Sequence, residues 1–205
     1  MCDFVNWLDR WQTLVAAAVA LLAATWTIVV MSGQRRDETL RHHEQMRRRK
    51  LAARASMPDA LSEISEYVRS CAERLTGRTD ALPKPPVEAF AALKTAIEFI
   101  DDDAATRTYE LASWYQVVRA RLSSDLPHQG PNFNEYVYDL ALLQAYVNRL
   151  YEYARNETDE VPSGPPSNAD VSTGLSNALG LAYYVQHEDD FNGAVAVINQ
   201  RHPAS

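Results

Sequence analysis

The chain has 205 residues, and its 20 Lys and Arg against 27 Asp and Glu give a net charge of −7 at neutral pH. The charge is unevenly distributed along the chain. Residues 35–55 hold eight basic and three acidic residues, whereas residues 56–205 hold eleven basic and twenty-two acidic residues. Phosphate binding rests on clustered Lys and Arg, so the acidic composition excludes nucleic acid as a partner of the region after residue 55.

Twenty-four consecutive residues between Arg10 and Arg35 carry no charge. Residues 11–31 are long enough to cross a hydrocarbon core of roughly 30 Å as a helix, so we predict a single transmembrane helix there. A secretory signal peptide would need a basic start and a shorter apolar core, whereas residues 1–10 hold two acids and one base. Because basic residues follow the run, the positive-inside rule predicts that residues 1–10 are a non-cytoplasmic tail and that the chain after the span is cytoplasmic, in the inner (plasma) membrane.

Small residues recur every four positions in the predicted span, at Ala16, Ala20 and Ala24. This spacing lets two helix backbones approach closely in lipid, which favours a homodimer through this face. The alternative interpretation is that alanine is simply common in membrane spans, since six of the 21 residues in the run are Ala.

Residues 32–55 form a predicted basic stalk beside the membrane. We assign seven of its basic side chains to contact with anionic lipid: Arg35, Arg36, Arg41, Arg47, Arg48, Arg49 and Lys50. Anionic headgroups attract such residues by about 1 kcal/mol each near the surface, and they repel the acidic region that follows. The stalk also carries charge suited to nucleic acid, but its place next to the span favours lipid. We expect a helical stalk that bends or breaks near Ser56, where Ser56 and Asp59 have capping-box spacing and Pro58 fits a first helical turn.

Residues 56–205 are predicted to form one cytoplasmic domain, an all-α bundle of four to six helices. Apolar residues recur at intervals of three and four along its first three helices. The three sets are Leu61, Ile64, Val68, Cys71 and Leu75; Phe90, Leu93, Ile97 and Ile100; and Leu111, Trp114, Val118 and Leu122. Gly77 ends the first of these helices, and the proline-bearing stretch 80–86 connects it to the second.

The fourth helix of the domain, from about Phe133 to Ala154, is apolar on two faces. A helix that is apolar around most of its girth is usually buried among its neighbours. The alternative interpretation is that Tyr138, Tyr146 and Tyr153 are exposed as a docking surface for a partner protein. Tyrosine suits that role because it buries area at low entropy cost and keeps a polar group.

A linker is predicted over residues 156–168, followed by a helix whose capping box is formed by Ser167 and Asp170. Gly174 and Gly180 each cost about 1 kcal/mol relative to Ala inside this helix, unless they permit close packing against a neighbour. Residues 191–200 fit either a short helix or an extended segment, because they contain an Asn-Gly pair.

Catalytic motifs are absent from the sequence, which has no phosphate-binding Gly-rich loop, HExxH, CxxC or GxSxG. Cys71 fits an apolar helix face better than the role of a nucleophile. The aspartates at 101–103 lack the spacing and the glycine of a calcium loop, so we assign them to a solvated turn that caps the next helix. His187 beside three acids is the nearest approach to a metal site, and we assign neither a metal nor a cofactor.

Three functions fit these features. The first is a non-enzymatic single-pass membrane protein of accessory, regulatory or stress and defence type, whose helical domain binds an unknown cytoplasmic protein. The second is an enzyme with an unrecognised site inside the bundle, around His187 and the acids beside it. The third is an anchor that binds or organises anionic lipid and uses the distal domain as a solubilising cap.

Overall fold

The computed structural model of the chain describes residues 2–122 and 132–203, and the side chains of these residues except 2–10, 12, 13, 29 and 32–37. All regular secondary structure within these ranges is helical, so the predicted all-α class is confirmed. The chain divides into two compact units, residues 1–48 and residues 49–205, which are described separately below.

Seven α-helices and one short 3-10 helix make up the described structure. They are α1 (Cys2–Leu75), α2 (Val87–Ala96), α3 (Asp102–Leu122), α4 (Phe133–Ala154), α5 (Asn168–Leu179), α6 (Leu181–Gln186), the 3-10 helix Glu188–Phe191, and α7 (Asn192–Arg201).

The first unit lies on α1, and the large apolar side chains described there are exposed. Trp26 is 73% exposed and Leu21 is 70% exposed. Two threonines of this unit satisfy their hydroxyls within the helix, since Thr25 Oγ1 donates to the Leu21 carbonyl at 2.7 Å and Thr27 Oγ1 to the Ala23 carbonyl at 2.8 Å. In the part of the chain that the structure describes, no helix combines the length and the apolar character needed to cross a membrane.

In the second unit, α1 continues through Ser56 without a break, so the predicted interruption and capping box at this position are wrong. The Ser56 hydroxyl donates to the Ala53 carbonyl at 2.8 Å, and Pro58 lies inside the helix. Proline in a helix interior costs about 3 kcal/mol, so other contacts must hold this turn in place. Those contacts come from Arg54 and Met57, which are both buried against the rest of the unit.

The core of the second unit surrounds α4, as the buried interpretation of this helix predicts. Thirteen of its 22 residues are buried, and it packs against α3, α5 and α7. The predicted inner face of α1, from Leu61 to Leu75, is buried in the same core. Polar contacts join the two helices at their edges, where Gln144 Nε2 donates to Ser65 Oγ at 3.1 Å.

Helix α5 lies unusually close to α4. A side chain at Gly174 would overlap the carbonyl oxygen of Ala141 and reach within 3.0 Å of the Ala145 nitrogen. The glycine therefore permits close packing, which offsets its unfavourable helix propensity. The predicted capping box at the start of α5 is confirmed, with Ser167 Oγ accepting from the Asp170 backbone and the Asp170 carboxylate accepting from the Ser167 N–H.

After α5, helical segments continue as far as Arg201. Gly180, with φ of +82°, lies between α5 and α6 rather than inside one helix, which corrects the predicted continuous helix. Phe191, Ala194 and Ile198 are buried at the spacing of one helix face, so packing on the core explains why residues 192–201 form a helix despite the Asn-Gly pair.

Candidate functional site

The basic residues assigned to lipid contact do not form a uniform set. Arg47 and Arg48 both bind the carboxylate of Glu44, at 3.1 and 2.9 Å, and remain largely exposed. These hydrogen bonds lower the pKa of Glu44, with Arg47 as the largest cause. Arg41 is exposed, whereas the side chains of Arg35 and Arg36 lie outside the described residues.

Lys50, another residue assigned to lipid contact, has a carboxylate partner within the protein. Its Nζ lies 2.9 and 2.7 Å from the two carboxylate oxygens of Asp101, and the Tyr153 hydroxyl donates to Asp101 Oδ2 at 2.9 Å. Lys50 is the largest cause of a lowered pKa at Asp101. Asp101 therefore has an ion-pair partner in addition to its predicted place in the turn before α3, and the lipid contact of Lys50 stays a prediction.

Arg54 is a buried cation with several hydrogen-bond partners, and no sequence pattern indicates it. It is 2% exposed, and its Nε and Nη2 donate to the Tyr153 carbonyl at 3.0 and 2.7 Å. Nη2 also donates to the Thr158 carbonyl at 2.7 Å, and Nη1 binds Asp159 at 2.5 Å. The guanidinium carbon lies 4.1 Å from the centroid of the Tyr153 ring. We call Lys50, Arg54, Asp101, Tyr153 and Asp159 the Arg54 cluster.

The Arg54 cluster joins three parts of the second unit, namely α1, the start of α3 and the loop after α4. Burial raises the pKa of Tyr153 to about 12, so its hydroxyl stays protonated and acts as a donor. Every polar group of Arg54 has a partner, which is the condition for keeping a charge inside a protein. The cluster can therefore position helices, and its geometry leaves no room for a ligand on Arg54.

Two of the three tyrosines assigned to partner docking lie inside the domain. Tyr153 is 0% and Tyr138 is 4% exposed, and the Tyr138 hydroxyl hydrogen-bonds His202 Nε2 at 3.0 Å. Tyr146 is half-buried. The docking role of Tyr138 and Tyr153 is corrected accordingly, because a helix surrounded by α1, α3, α5 and α7 has no free face at these positions. A docking role for Tyr146 stays a prediction.

An open cleft of about 420 Å³ lies between α1 and α2, entirely within the second unit. Small residues of the two helices form its walls, and Phe99 and Arg49 complete the lining. The guanidinium carbon of Arg49 lies 5.8 Å from the Phe99 ring centroid. No sequence motif indicates this cleft, since its walls come from segments about forty residues apart and carry mostly alanine.

Cys71 and His187, the side chains with nucleophilic or metal-binding chemistry, make contacts within the second unit. Cys71 is buried, and burial raises its pKa to about 11, so it is not held as a thiolate. The His187 ring stacks on Tyr183 with centroids 4.2 Å apart, and its Nδ1 lies 3.0 Å from the Tyr183 carbonyl. Among the described residues, no group of three or more His, Cys, Asp or Glu is arranged to hold a metal ion.

The arrangement therefore offers two features of different kinds, a cluster that fixes helix positions and a cleft that is open to a ligand. The cleft combines an apolar lining with one cationic side chain, which suits binding of an amphiphilic group. No protein-family model, curated protein or solved structure matches this chain.

Proposed function

We propose that this chain is a non-enzymatic, membrane-tethered interaction module of accessory, regulatory or defence type. In this proposal residues 11–31 anchor it in the plasma membrane as a single span, and the acidic helical unit over residues 49–205 binds a cytoplasmic protein. The parts of the proposal rest on different observations and are tested separately.

The proposed membrane anchor is supported mainly by the exposure of large apolar side chains along the first unit. Ten of them are exposed between residues 11 and 31: Trp11, Leu14, Val15, Val19, Leu21, Leu22, Trp26, Ile28, Val30 and Met31. Many exposed large apolar side chains on one helix mark contact with a membrane or with another protein. Twenty-four uncharged residues in a row favour the membrane.

Two polar side chains within the described part of the run agree with a lipid surrounding. The Thr25 and Thr27 hydroxyls donate to carbonyls four residues earlier, so neither proton is left without an acceptor. Unsatisfied polar groups are costly in hydrocarbon, and Thr is tolerated in spans through this bond. Arg41, Arg47 and Arg48 follow the run and are exposed, which supports an orientation with the second unit in the cytoplasm.

An exposed apolar and acidic surface supports the binding of a partner by the second unit. Leu181 and Val185, one turn apart on α6, are 66% and 63% exposed. The exposed acids Glu188, Asp189 and Asp190 follow directly in the chain. A partner with a basic rim around an apolar patch complements this surface in both charge and hydrophobicity.

Extraction of the full-length protein tests the tether. We expect it to stay in the membrane pellet after an alkaline carbonate wash, and Leu22→Lys to shift it toward the supernatant, because a charge in the middle of a span costs about 2.5–3.5 kcal/mol. Leu82→Lys is the matched control, since Leu82 is exposed in the second unit and its change should leave the pellet fraction unaltered. Wild-type protein in the supernatant would contradict the tether.

Cross-linking in native membranes tests the partner. We expect a specific cytoplasmic protein to co-purify with the full chain and to be lost from a version truncated after Arg48. The double change Leu181→Asp and Val185→Asp should also abolish the cross-link, whereas Tyr109→Asp, at another exposed apolar position on α3, should preserve it. Recovery of only the protein itself and lipid would contradict the interaction module.

Self-association through the span is a separate part of the proposal. Ala16, Ala20 and Ala24 are all exposed along the helix, as a contact face requires. Ala20→Ile should weaken a membrane two-hybrid signal between two copies by separating the backbones. An unchanged signal would remove this face from the proposal.

A further inference from the structure

The walls of the cleft between α1 and α2 present little polarity to a ligand. Ser56 Oγ donates to the Ala53 carbonyl at 2.8 Å, and Thr95 Oγ1 donates to the Ala91 carbonyl at 3.1 Å, so each hydroxyl proton is used within its own helix. The other wall residues are alanines, and half-buried Phe99 adds an aromatic ring. Such a surface gains free energy by covering its apolar area, so it suits an apolar body.

Arg49 supplies the charge at the cleft. The neighbouring cations already have carboxylate partners, since Arg48 binds Glu44 at 2.9 Å and Lys50 binds Asp101 at 2.7 Å. The described residues that line the cleft carry no carboxylate, and the Arg49 side chain is exposed beside Phe99. The cation of the cleft is therefore open to an anionic group from a ligand.

The geometry points to a binding site for a fatty acid, with its carboxylate on Arg49 and its alkyl chain between α1 and α2. A guanidinium binds a carboxylate through two parallel N–H···O hydrogen bonds. The cleft volume of about 420 Å³ lies near the low end of the roughly 300–1,000 Å³ of ligand sites. It suits one alkyl chain rather than the two chains of a phospholipid.

This fatty-acid site is additional to the proposed membrane anchor and protein partner. All of its lining residues belong to the second unit. Fatty acid bound there would cover the alanine walls of both helices at the end of the unit that holds Lys50 and Asp101. The site holds whether or not residues 11–31 span a membrane, so its test is read independently of the tests above.

Photo-crosslinking of the full-length protein in lipid nanodiscs tests the site. The probe is palmitic acid with a diazirine in the middle of its chain, and labelled peptides are mapped by mass spectrometry. We expect labels within residues 49–56 and 92–99. Arg49→Gln should reduce them about tenfold, because a charge-assisted hydrogen bond is lost. Arg69→Gln, at an exposed position of α1 outside the cleft, should leave them unchanged.

Competition experiments distinguish recognition of the carboxylate from nonspecific hydrophobic binding of the alkyl chain. Excess palmitic acid should remove the cleft labels, whereas hexadecanol, which has the same chain without the charge, should compete poorly. Ala52→Phe should also remove them while preserving the near-UV circular dichroism, because Ala52 lines the cleft but is exposed.

Three results would overturn the assignment. One is labelling of the cleft that persists in Arg49→Gln, and another is equal competition by hexadecanol. The third is labelling confined to segments outside residues 49–56 and 92–99, which would show that the alkyl chain does not enter the cleft.

Discussion

Replacing Arg54 by Met removes a buried cation while keeping a long apolar side chain in its place. In the native structure the guanidinium donates to the carbonyls of Tyr153 and Thr158 and binds Asp159. The change leaves two backbone carbonyls without these donors, and it also removes the cation over the Tyr153 ring. We expect a large loss of stability in the second unit.

The decrease in the free energy of unfolding depends on which former partners of Arg54 remain buried without a hydrogen bond. Removing one partner of a buried ion pair costs about 3–5 kcal/mol, and hydrogen bonds from charged groups stabilise by about 1.5–3 kcal/mol. The Asp159 side chain is 82% exposed, so water solvates it once Arg54 is gone. The loss should therefore lie near the lower end, at about 3 kcal/mol in the free energy of unfolding.

Asp159→Asn isolates the exposed part of the interaction. The amide oxygen of the variant can still accept a hydrogen bond from Nη1, but the buried Arg54 cation loses its carboxylate. This variant should therefore lose about 1.5 kcal/mol, the low end of the range for a hydrogen bond to a charged group. Arg69→Met serves as the control for a Met substitution on α1, because Arg69 is exposed and such changes alter stability by less than about 0.5 kcal/mol.

Urea unfolding of the full-length protein in a mild detergent, followed by near-UV circular dichroism, measures these differences. The expected order of loss is Arg54→Met, then Asp159→Asn, then Arg69→Met. If Arg54→Met lost no more than Asp159→Asn, the hydrogen bonds to the Tyr153 and Thr158 carbonyls would contribute nothing, and the reasoning about the cluster would be refuted.

Three further predictions use the same unfolding measurement. Gly174→Ala should destabilise by about 1–3 kcal/mol through overpacking against the Ala141 carbonyl, although helix propensity alone would stabilise by about 1 kcal/mol, and a gain in stability would contradict the close approach of α5 to α4. Ser167→Ala should cost about 1 kcal/mol by removing the cap of α5, while Ser172→Ala, one turn later and exposed, should change little. Because Lys50 lowers the pKa of Asp101 in the folded state, the stabilisation is present above the unfolded pKa of about 3.9 and is lost as pH falls through the lower folded value. The stability difference between wild type and Asp101→Asn should thus be constant above about pH 5 and shrink below about pH 4, and a difference independent of pH would contradict the ion pair.

Local patterns in the sequence determined the helices and the faces that they bury. Leu61, Ile64 and Val68 recur at helical spacing, and all three are buried. The capping box of Ser167 and Asp170 could also be predicted from the sequence, because its two hydrogen bonds join residues only three positions apart. Such features depend on neighbours along the chain, so no knowledge of the fold is needed to predict them.

Tertiary structure alone decided how the stalk meets the domain. Pro58 and the sparse apolar residues before it predict a break near Ser56, yet Arg54 contacts a carbonyl 99 residues away and holds α1 in place. The ion pair of Lys50 with Asp101, 51 residues later in the chain, was also not predictable from local sequence. The burial of Tyr153 depended likewise on which helices surround α4.

The cleft could not be predicted from the sequence either, because it depends on contacts between segments that are distant in the chain. Its alanines are ordinary helix formers, and only the packing of α2 on α1 turns them into facing walls with Arg49 beside them. A sequence determines which residues of a helix are apolar. Which apolar surfaces are covered, and which charges are neutralised, depends on the long-range contacts made when the chain folds, and these contacts placed Arg54 inside the protein and left Arg49 outside.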